Sequence, residues 1–310
     1  MILCVGTTPA VQRVMVFERL IPDTVNRASQ TLEGIAGKSV NVAKVLRALG
    51  ARPMAIGLAG GGRGRFVLEM LRERCIETEF IPVTATTRQC TTLLDQSSGR
   101  QTELVEESGA VDADTVDRLH DVLKRRLQQS RAVIMSGTLA PGIPPTFYRE
   151  GVEMAKAMGI LSVVDARGAV LDAAIEAGPG LVKPNHAELE ATLGRRLADE
   201  SAVVEGMREL LKRGARRVVV TAGKYPTLAA DETGCWRVIN PPIRAVNAIG
   251  SGDSVTAGLV WKLDGGATLE EACRWGCAAG AANALSLMPG DLEIEDVRRL
   301  VDEVRVQPIS

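Results

Sequence analysis

From about residue 110 onward the chain alternates helical and strand patterns one for one. Residues 112–129 read as helix and 132–135 as strand, 145–158 as helix and 161–164 as strand, 168–177 as helix and 180–182 as strand. Two helices at 186–193 and 202–213 then precede a strand at 217–221. Strands separated by helices pair in parallel through right-handed crossovers. The strands are short and continuously apolar, which fits a sheet covered by helices on both faces.

The first third of the chain departs from that rhythm. Residues 2–6 read as a buried strand, but 11–17 and 26–33 mix polar and β-branched residues and suggest short, partly exposed strands. In 40–49, Val42, Val45, Leu46 and Leu49 share a helical face that Gly50 closes. An apolar run at 53–58, a glycine turn at 60–62 and an amphipathic helix at 63–74 follow. Residues 80–108 alternate threonine and leucine with polar groups around Ser97-Ser98-Gly99, the pattern of an exposed hairpin. The stretches near 10–33 and 84–108 are expected to form a small separate sheet, a lid or an oligomer contact. The chain of 310 residues is then one domain with those lid strands inserted.

Composition removes several classes of function. A formal net charge of −1 argues against nucleic-acid or membrane-surface binding, and 3% aromatic residues against base-stacking platforms. Six cysteines without a Cys-x-x-Cys pair suit buried free thiols in a reducing compartment. Residues 272–288 are apolar but carry Arg274 and Asn283 at helical period, so a buried helix is expected rather than a membrane span. No secretory leader is read at the start, and the expected location is the cytoplasm.

The chemistry concentrates in Asn247-Ala248-Ile249-Gly250-Ser251-Gly252-Asp253-Ser254, which runs directly into a helix at 255–263. Glycines let backbone close on a ligand, and the unpaired N–H groups of a helix start, with its dipole, attract an anion such as phosphate. A carboxylate beside that pocket suits phosphoryl transfer to a hydroxyl. The same residues also read as an ordinary capped helix start. Four other strand ends carry polar or glycine-rich turns: Ser136-Gly137-Thr138, Asp165-Ala166-Arg167-Gly168, Lys183-Pro184-Asn185-His186 and Thr221-Ala222-Gly223. Ligands bind outside the carboxyl ends of strands in open α/β sheets, so these turns are expected to share one site. Gly37-Lys38-Ser39 is not a P-loop, because Leu32 occupies the position of its first glycine. Lys38 at a helix start still suits a phosphate contact. Neither His120 nor His186 belongs to a catalytic constellation.

Gly250-Ser251-Gly252-Asp253 resembles the C-terminal signature of the ribokinase-like (PfkB) carbohydrate kinases. Residues 34–43, Gly-Ile-Ala-Gly-Lys-Ser-Val-Asn-Val-Ala, resemble their N-terminal signature. The similarity continues through Thr87-Arg88, Thr102-Glu103, Ser136-Gly137-Thr138-Leu139 and Lys183-Pro184-Asn185 with Glu188, so it covers nearly the whole chain. Thr8-Pro9-Ala10 and Val25-Asn26-Arg27-Ala28 point to the 1-phosphofructokinase and tagatose-6-phosphate kinase branch. The resemblance implies a three-layer α/β/α sandwich with a central, mostly parallel sheet and a small β-sheet lid, often used for dimerisation. It implies ATP and Mg²⁺, and transfer of the γ-phosphate to a hexose phosphate of the fructose 1-phosphate or tagatose 6-phosphate type. Asp253 is then the catalytic base and the N–H groups of Gly250, Ser251 and Gly252 the anion hole. Asn185 and Glu188 are implied to help hold Mg²⁺ through water. Lys183, Asn185, Thr221, Gly223 and Asn283 are implied on the nucleotide side, and Gln12, Gly37, Lys38, Asn41, Arg88 and Ser136 on the sugar-phosphate side.

Four positions depart from the branch. Gln12 stands where an aspartate is usual, Ala36 and Ser39 replace glycines around Lys38, and Arg167 occupies a turn that often carries serine. The sugar side is altered while the phosphoryl-transfer side is intact. Two other readings follow: a kinase of a non-phosphorylated sugar or a nucleoside, and a catalytically silent sugar-phosphate sensor. A nicotinamide oxidoreductase is disfavoured, since no Gly-x-Gly-x-x-Gly follows the first strand.

Overall fold

The computed structural model describes residues 1–309. Strand β1 (Ile2–Val5) is followed by β2 (Ala10–Phe17), β3 (Gln30–Ala36), α1 (Lys38–Ala48), β4 (Pro53–Gly60), α2 (Gly61–Glu73) and β5 (Glu77–Val83). A hairpin, β6 (Arg88–Asp95) and β7 (Arg100–Val105), precedes α3 (Ala113–Leu127), β8 (Ala132–Ser136), α4 (Phe147–Ala157), β9 (Leu161–Asp165) and α5 (Ala169–Glu176). Then come β10 (Leu181–Val182), α6 (His186–Leu193), α7 (Glu200–Arg213), β11 (Arg217–Ala222), β12 (Tyr225–Asp231) and β13 (Gly234–Ile239). The chain closes with α8 (Ser251–Asp264), α9 (Leu269–Ala284), α10 (Ile294–Val301) and β14 (Arg305–Pro308).

The main sheet runs β14-β13-β12-β11-β10-β9-β8-β1-β4-β5, parallel from β11 to β5 and antiparallel among β11, β12, β13 and β14. Successive side chains on a strand point to opposite faces. Ile2 and Cys4 therefore join the core formed with α1, α2, α8, α9 and α10, while Leu3 and Val5 join the core formed with α3 to α7. The result is the three-layer α/β/α sandwich. Strand order reverses around β1, which lies between β4 and β8. That reversal opens a crevice at the carboxyl ends of β1, β8 and β9.

Two packing features shape the site. On the first face, α8 and α9 meet backbone to backbone: a Cβ placed on Gly258 would lie 2.8 Å from Gly276 Cα, and one on Gly280 3.2 Å from Ser251 O. The second sheet, ordered β3-β2-β6-β7, covers the segment after α9. Val14, Val16 and Leu94 pack there against Leu287 and Met288.

Four local expectations change. β2 is mostly buried rather than partly exposed, because its inner face lies on that segment. The strand expected at 26–33 begins only at Gln30 and runs on to Ala36. β5 is not part of an exposed hairpin; it is the parallel edge strand beside β4, and an edge covered on one face alternates like a surface strand. The glycines at 60–62 are not a separate turn, since Gly60 ends β4 and α2 starts at Gly61.

Candidate active site

The bend before α8 is held from behind. Gly250 has φ 82°, and α8 starts at the next residue. A side chain at 250 would be strained by that φ and would also meet Pro289, with its Cβ 2.8 Å from the proline Cβ. Asn283 is fully buried, and its Nδ2 donates to Ile249 O at 2.9 Å and to Ser251 Oγ at 3.1 Å. Its Oδ1 accepts from Gly290 N–H at 2.7 Å. Asn283 is therefore engaged with the bend rather than presented to a nucleotide base. Asn247 adds a second tie, donating to Leu287 O at 2.8 Å and accepting from Ile249 N–H at 3.0 Å. Of the three N–H groups expected to line an anion hole, that of Ser251 already donates to Ala248 O at 3.2 Å. Among the described residues, the N–H groups of Gly252 and Asp253 have no backbone acceptor, so they extend the free set one position into the helix.

Asp253 lies in the first turn of α8 and is buried. Its Oδ2 accepts a 2.7 Å hydrogen bond from Asn41 Nδ2, one turn into α1. Burial pushes the Asp253 carboxyl up to about 6; the Lys38 charge opposes that and Asp165 reinforces it. The aspartate's neighbour at the end of β9, Asp165, is fully buried and carries three partners. Lys38 Nζ lies 2.7 Å from its Oδ1, Lys183 Nζ 3.1 Å from its Oδ2, and Thr256 Oγ1 donates to Oδ2 at 3.0 Å. Burial would raise this carboxyl, but the Lys183 and Lys38 charges prevail and hold it down to about 2. Burial also works against charge on Lys38, yet Asp165, Asp253 and Glu188 keep its ammonium well above the usual lysine range. Lys183 further borders the bend: a Cβ on Gly252 would sit 3.7 Å from its Nζ.

The sequence places the Asp165 turn in the shared site but gives Asp165 itself no role there. Its signal was its position, a carboxylate directly at the end of a buried strand on the ligand edge. Thr256, three residues beyond Asp253 in α8, carries no signal of its own in the sequence.

The remaining candidates gather around this cluster. Gly37 caps α1 with φ 106°, where a Cβ would lie 2.9 Å from Pro9 Cα. Ser136 is buried at the end of β8 and its Oγ has no hydrogen-bond partner; the same holds for Asn41 Oδ1. Arg88 is half-buried and reaches across to Thr8 O with Nε at 3.2 Å and Nη2 at 3.0 Å. Gln12 is buried in the second sheet, and its Nε2 donates to Thr92 Oγ1 at 2.9 Å. On the other flank Thr221 N–H donates to Pro184 O at 3.2 Å, and Gly223 is exposed at a turn with φ 61°. A cavity of about 740 Å³ borders Asn185, Thr221 and Gly223 on the α6–α7 side.

Asn185 and Glu188 form a reciprocal cap on α6. Asn185 Oδ1 accepts from Glu188 N–H at 2.8 Å, and Glu188 Oε2 accepts from Asn185 N–H at 2.9 Å. Glu188 Oε1 faces Lys38 Nζ at 3.5 Å. Among the described residues no group of three or more His, Cys, Asp or Glu side chains could enclose a metal ion. This donor set fits Mg²⁺, which keeps waters and takes phosphate oxygens, better than a cation needing a full protein cage.

An anion-attracting helix start thus carries a buried carboxylate whose pKa burial pushes up to about 6, with two ammonium groups alongside. A family model described as pfkB family carbohydrate kinase matches residues 1–292. The chain is 28% identical over 309 residues, 99% of each sequence, to tagatose-6-phosphate kinase of Staphylococcus epidermidis. It is 30% identical over 280 residues, 90% of each, to ATP-dependent 6-phosphofructokinase isozyme 2 of Escherichia coli. The crystal structure of Escherichia coli phosphofructokinase-2 in complex with substrates and products superposes with a TM-score of 0.89 at 28% identity, covering 97% of this chain and 98% of that one. No helix among the described residues is long and apolar enough to cross a membrane. The bend, the carboxylate and these matches agree, and the chain belongs to the pfkB family of carbohydrate kinases.

Proposed function

We propose that this protein is an ATP-dependent sugar-phosphate kinase that transfers the γ-phosphate to a hydroxyl of a hexose phosphate and yields a bisphosphate. The observation that carries the reading is the juxtaposition of Asp253 with the free N–H groups of its own helix start. A hydroxyl held against Asp253 gives its proton to the carboxylate as its oxygen bonds to the γ-phosphorus, and the bond to the ADP oxygen breaks. A carboxyl titrating at about 6 is largely ionised at neutral pH yet basic enough to accept that proton. The Gly252 and Asp253 N–H groups, the α8 dipole and Lys183 stabilise charge on the transferring group.

Gly37, Asn41, Ser136 and Gln12 are assigned to the sugar, and Arg88 with Lys38 to its phosphate, since a guanidinium fork suits phosphate oxygens. Lys183, Asn185, Thr221 and Gly223 are assigned to the nucleotide. Glu188 would hold Mg²⁺ through water, and the ion would supply charge neutralisation on the phosphates. Six free cysteines support a reducing, cytoplasmic setting. A second copy of the chain is assigned to the outer sheet, where β7 is exposed along its length. Light scattering tests that assignment, and a monomer at all concentrations removes it.

The functional reading is tested by ADP release with fructose 1-phosphate, fructose 6-phosphate, tagatose 6-phosphate and the free hexoses. Turnover with one of the phosphates is expected. Turnover confined to free sugars rejects the phosphate-binding half, and binding without ADP release turns the reading to a sensor.

A further inference from the structure

Lys44 lies on α1 one turn beyond Asn41, is almost fully buried, and touches neither Asp253 nor the cluster around Asp165. Burial pulls the Lys44 pKa down and Asp291 opposes that, and a buried amine of this kind is tolerated only where its protons are all received. Here Nζ donates to Pro289 O at 2.6 Å and to Ile35 O at 3.3 Å, and lies 2.9 Å from Asp291 Oδ1. Arg74 approaches the other oxygen of Asp291 at 3.3 Å. One side chain thus binds the end of β3 and both ends of the 289–291 turn to α1.

That turn touches each half of the site. Pro289 packs on Gly250 behind the bend, and Gly290 N–H donates to Asn283 Oδ1, whose Nδ2 ties down Ile249 and Ser251. Gly290 also lies flat against Asn41: a Cβ there would be 3.2 Å from both Asn41 Cα and O. Its φ of 74° favours glycine as well. Asn41 in turn holds Asp253. The turn is therefore wedged between the helix that orients the carboxylate and the bend that offers the N–H groups.

We propose that Lys44 is a positioning residue for phosphoryl transfer, an internal cation that fixes the Pro289–Asp291 turn and so sets the spacing between the Gly250 bend and the Asn41–Asp253 pair. This rests on the kinase reading for its catalytic consequence but not for its structural one. A small misplacement of reacting groups costs rate far more than substrate affinity. Lys44→Met should lower kcat about 10- to 100-fold with both KM values within about twofold, the split expected when geometry at the transferring phosphate is lost. Lys44→Arg, which keeps the charge, should recover most of that loss.

The structural arm is amide hydrogen exchange on the same proteins. Lys44→Met should speed exchange across 247–254 and 288–291 and leave the α3–α7 side unchanged. If Lys44→Met does not fold, Asp291→Asn serves instead: Asp291 is part-exposed, and the change removes the carboxylate while leaving Lys44 Nζ its two carbonyl acceptors, Pro289 O and Ile35 O. It should give the same pattern in weaker form. Normal kcat, or a raised KM at normal kcat, overturns the proposal in an active protein. Unchanged exchange at both segments overturns it even where the wild-type protein phosphorylates none of the sugars tried, an outcome that separately defeats the kinase reading.

Discussion

Asn41 Nδ2 donates a 2.7 Å hydrogen bond to Asp253 Oδ2, joining residues 212 positions apart in sequence. The bond lowers the Asp253 pKa, while burial, the larger influence, sets it up to about 6. Activity should therefore fall as pH drops through about 6, as a single proton adds to the active, ionised carboxylate. Asn41→Ala removes a donor to the charged form, so its acid limb should move to higher pH. Lys38, Lys183 and Asp165 also face Asp253 and remain in that variant. A limb unmoved by the substitution would detach Asn41 from the base.

Asp253→Asn should reduce kcat on the order of 10²–10⁴-fold while leaving KM for ATP little changed. Its stability should move the other way. The folded carboxyl binds its proton more tightly than an ordinary aspartate, whose pKa is 3.8, so this group's contribution is full below that value and is lost as pH rises to about 6. The asparagine variant escapes that loss and should be more stable at pH 8 by about 1–3 kcal/mol, a gain that disappears by pH 4. Thermal melts at the two pH values decide it, and an equal or lower Tm at pH 8 contradicts the burial account.

Asp165→Asn should be costly for the opposite reason. Its carboxyl is held down to about 2, so its stabilisation is present above the ordinary carboxylate range and is lost as pH falls toward 2. Neutralising it leaves the buried Lys183 without a counter-ion. Urea denaturation at pH 7 should show a loss of about 3–5 kcal/mol, as for other broken buried pairs. A loss under 1 kcal/mol on that same scale would mean that water reaches Lys183.

Arg88→Ala should raise KM for the sugar phosphate roughly 10- to 100-fold, the worth of one charge-assisted phosphate contact, with KM for ATP unchanged. Steady-state kinetics at saturating ATP measure it. If the sugar-phosphate KM is insensitive to this change, the acceptor's phosphate lies elsewhere.

The central layers were readable because alternating helix and strand patterns over 112–221 dictate parallel crossovers. The motif at 250–253 was readable because glycines and an acid before a helix have few uses. Other parts were hidden by physics that acts across the chain. β5 reads Glu-Thr-Glu-Phe-Ile-Pro-Val, and only its partner β4 makes it a strand of the main sheet. The β12–β13 hairpin extends the sheet in antiparallel fashion with no helix between its strands to announce it, and β14 joins β13 antiparallel only after α8, α9 and α10 have intervened. Asp165 was visible as a strand end, but its worth depends on Lys38, 127 positions away, arriving on one oxygen while Lys183 takes the other. Ser251 was expected to offer its N–H outward, and the local turn to Ala248 withdrew it.

The glycine seam between α8 and α9 has a dynamic consequence. Two backbones pressed together at Gly258 and Gly276 have no side-chain layer that could slide or compress. The helix bearing Asp253 is in effect part of the chassis. A closing motion around a bound sugar is therefore expected of the four-stranded sheet, which joins the body near Pro9, Gly37 and Thr87 and through the segment between β7 and α3.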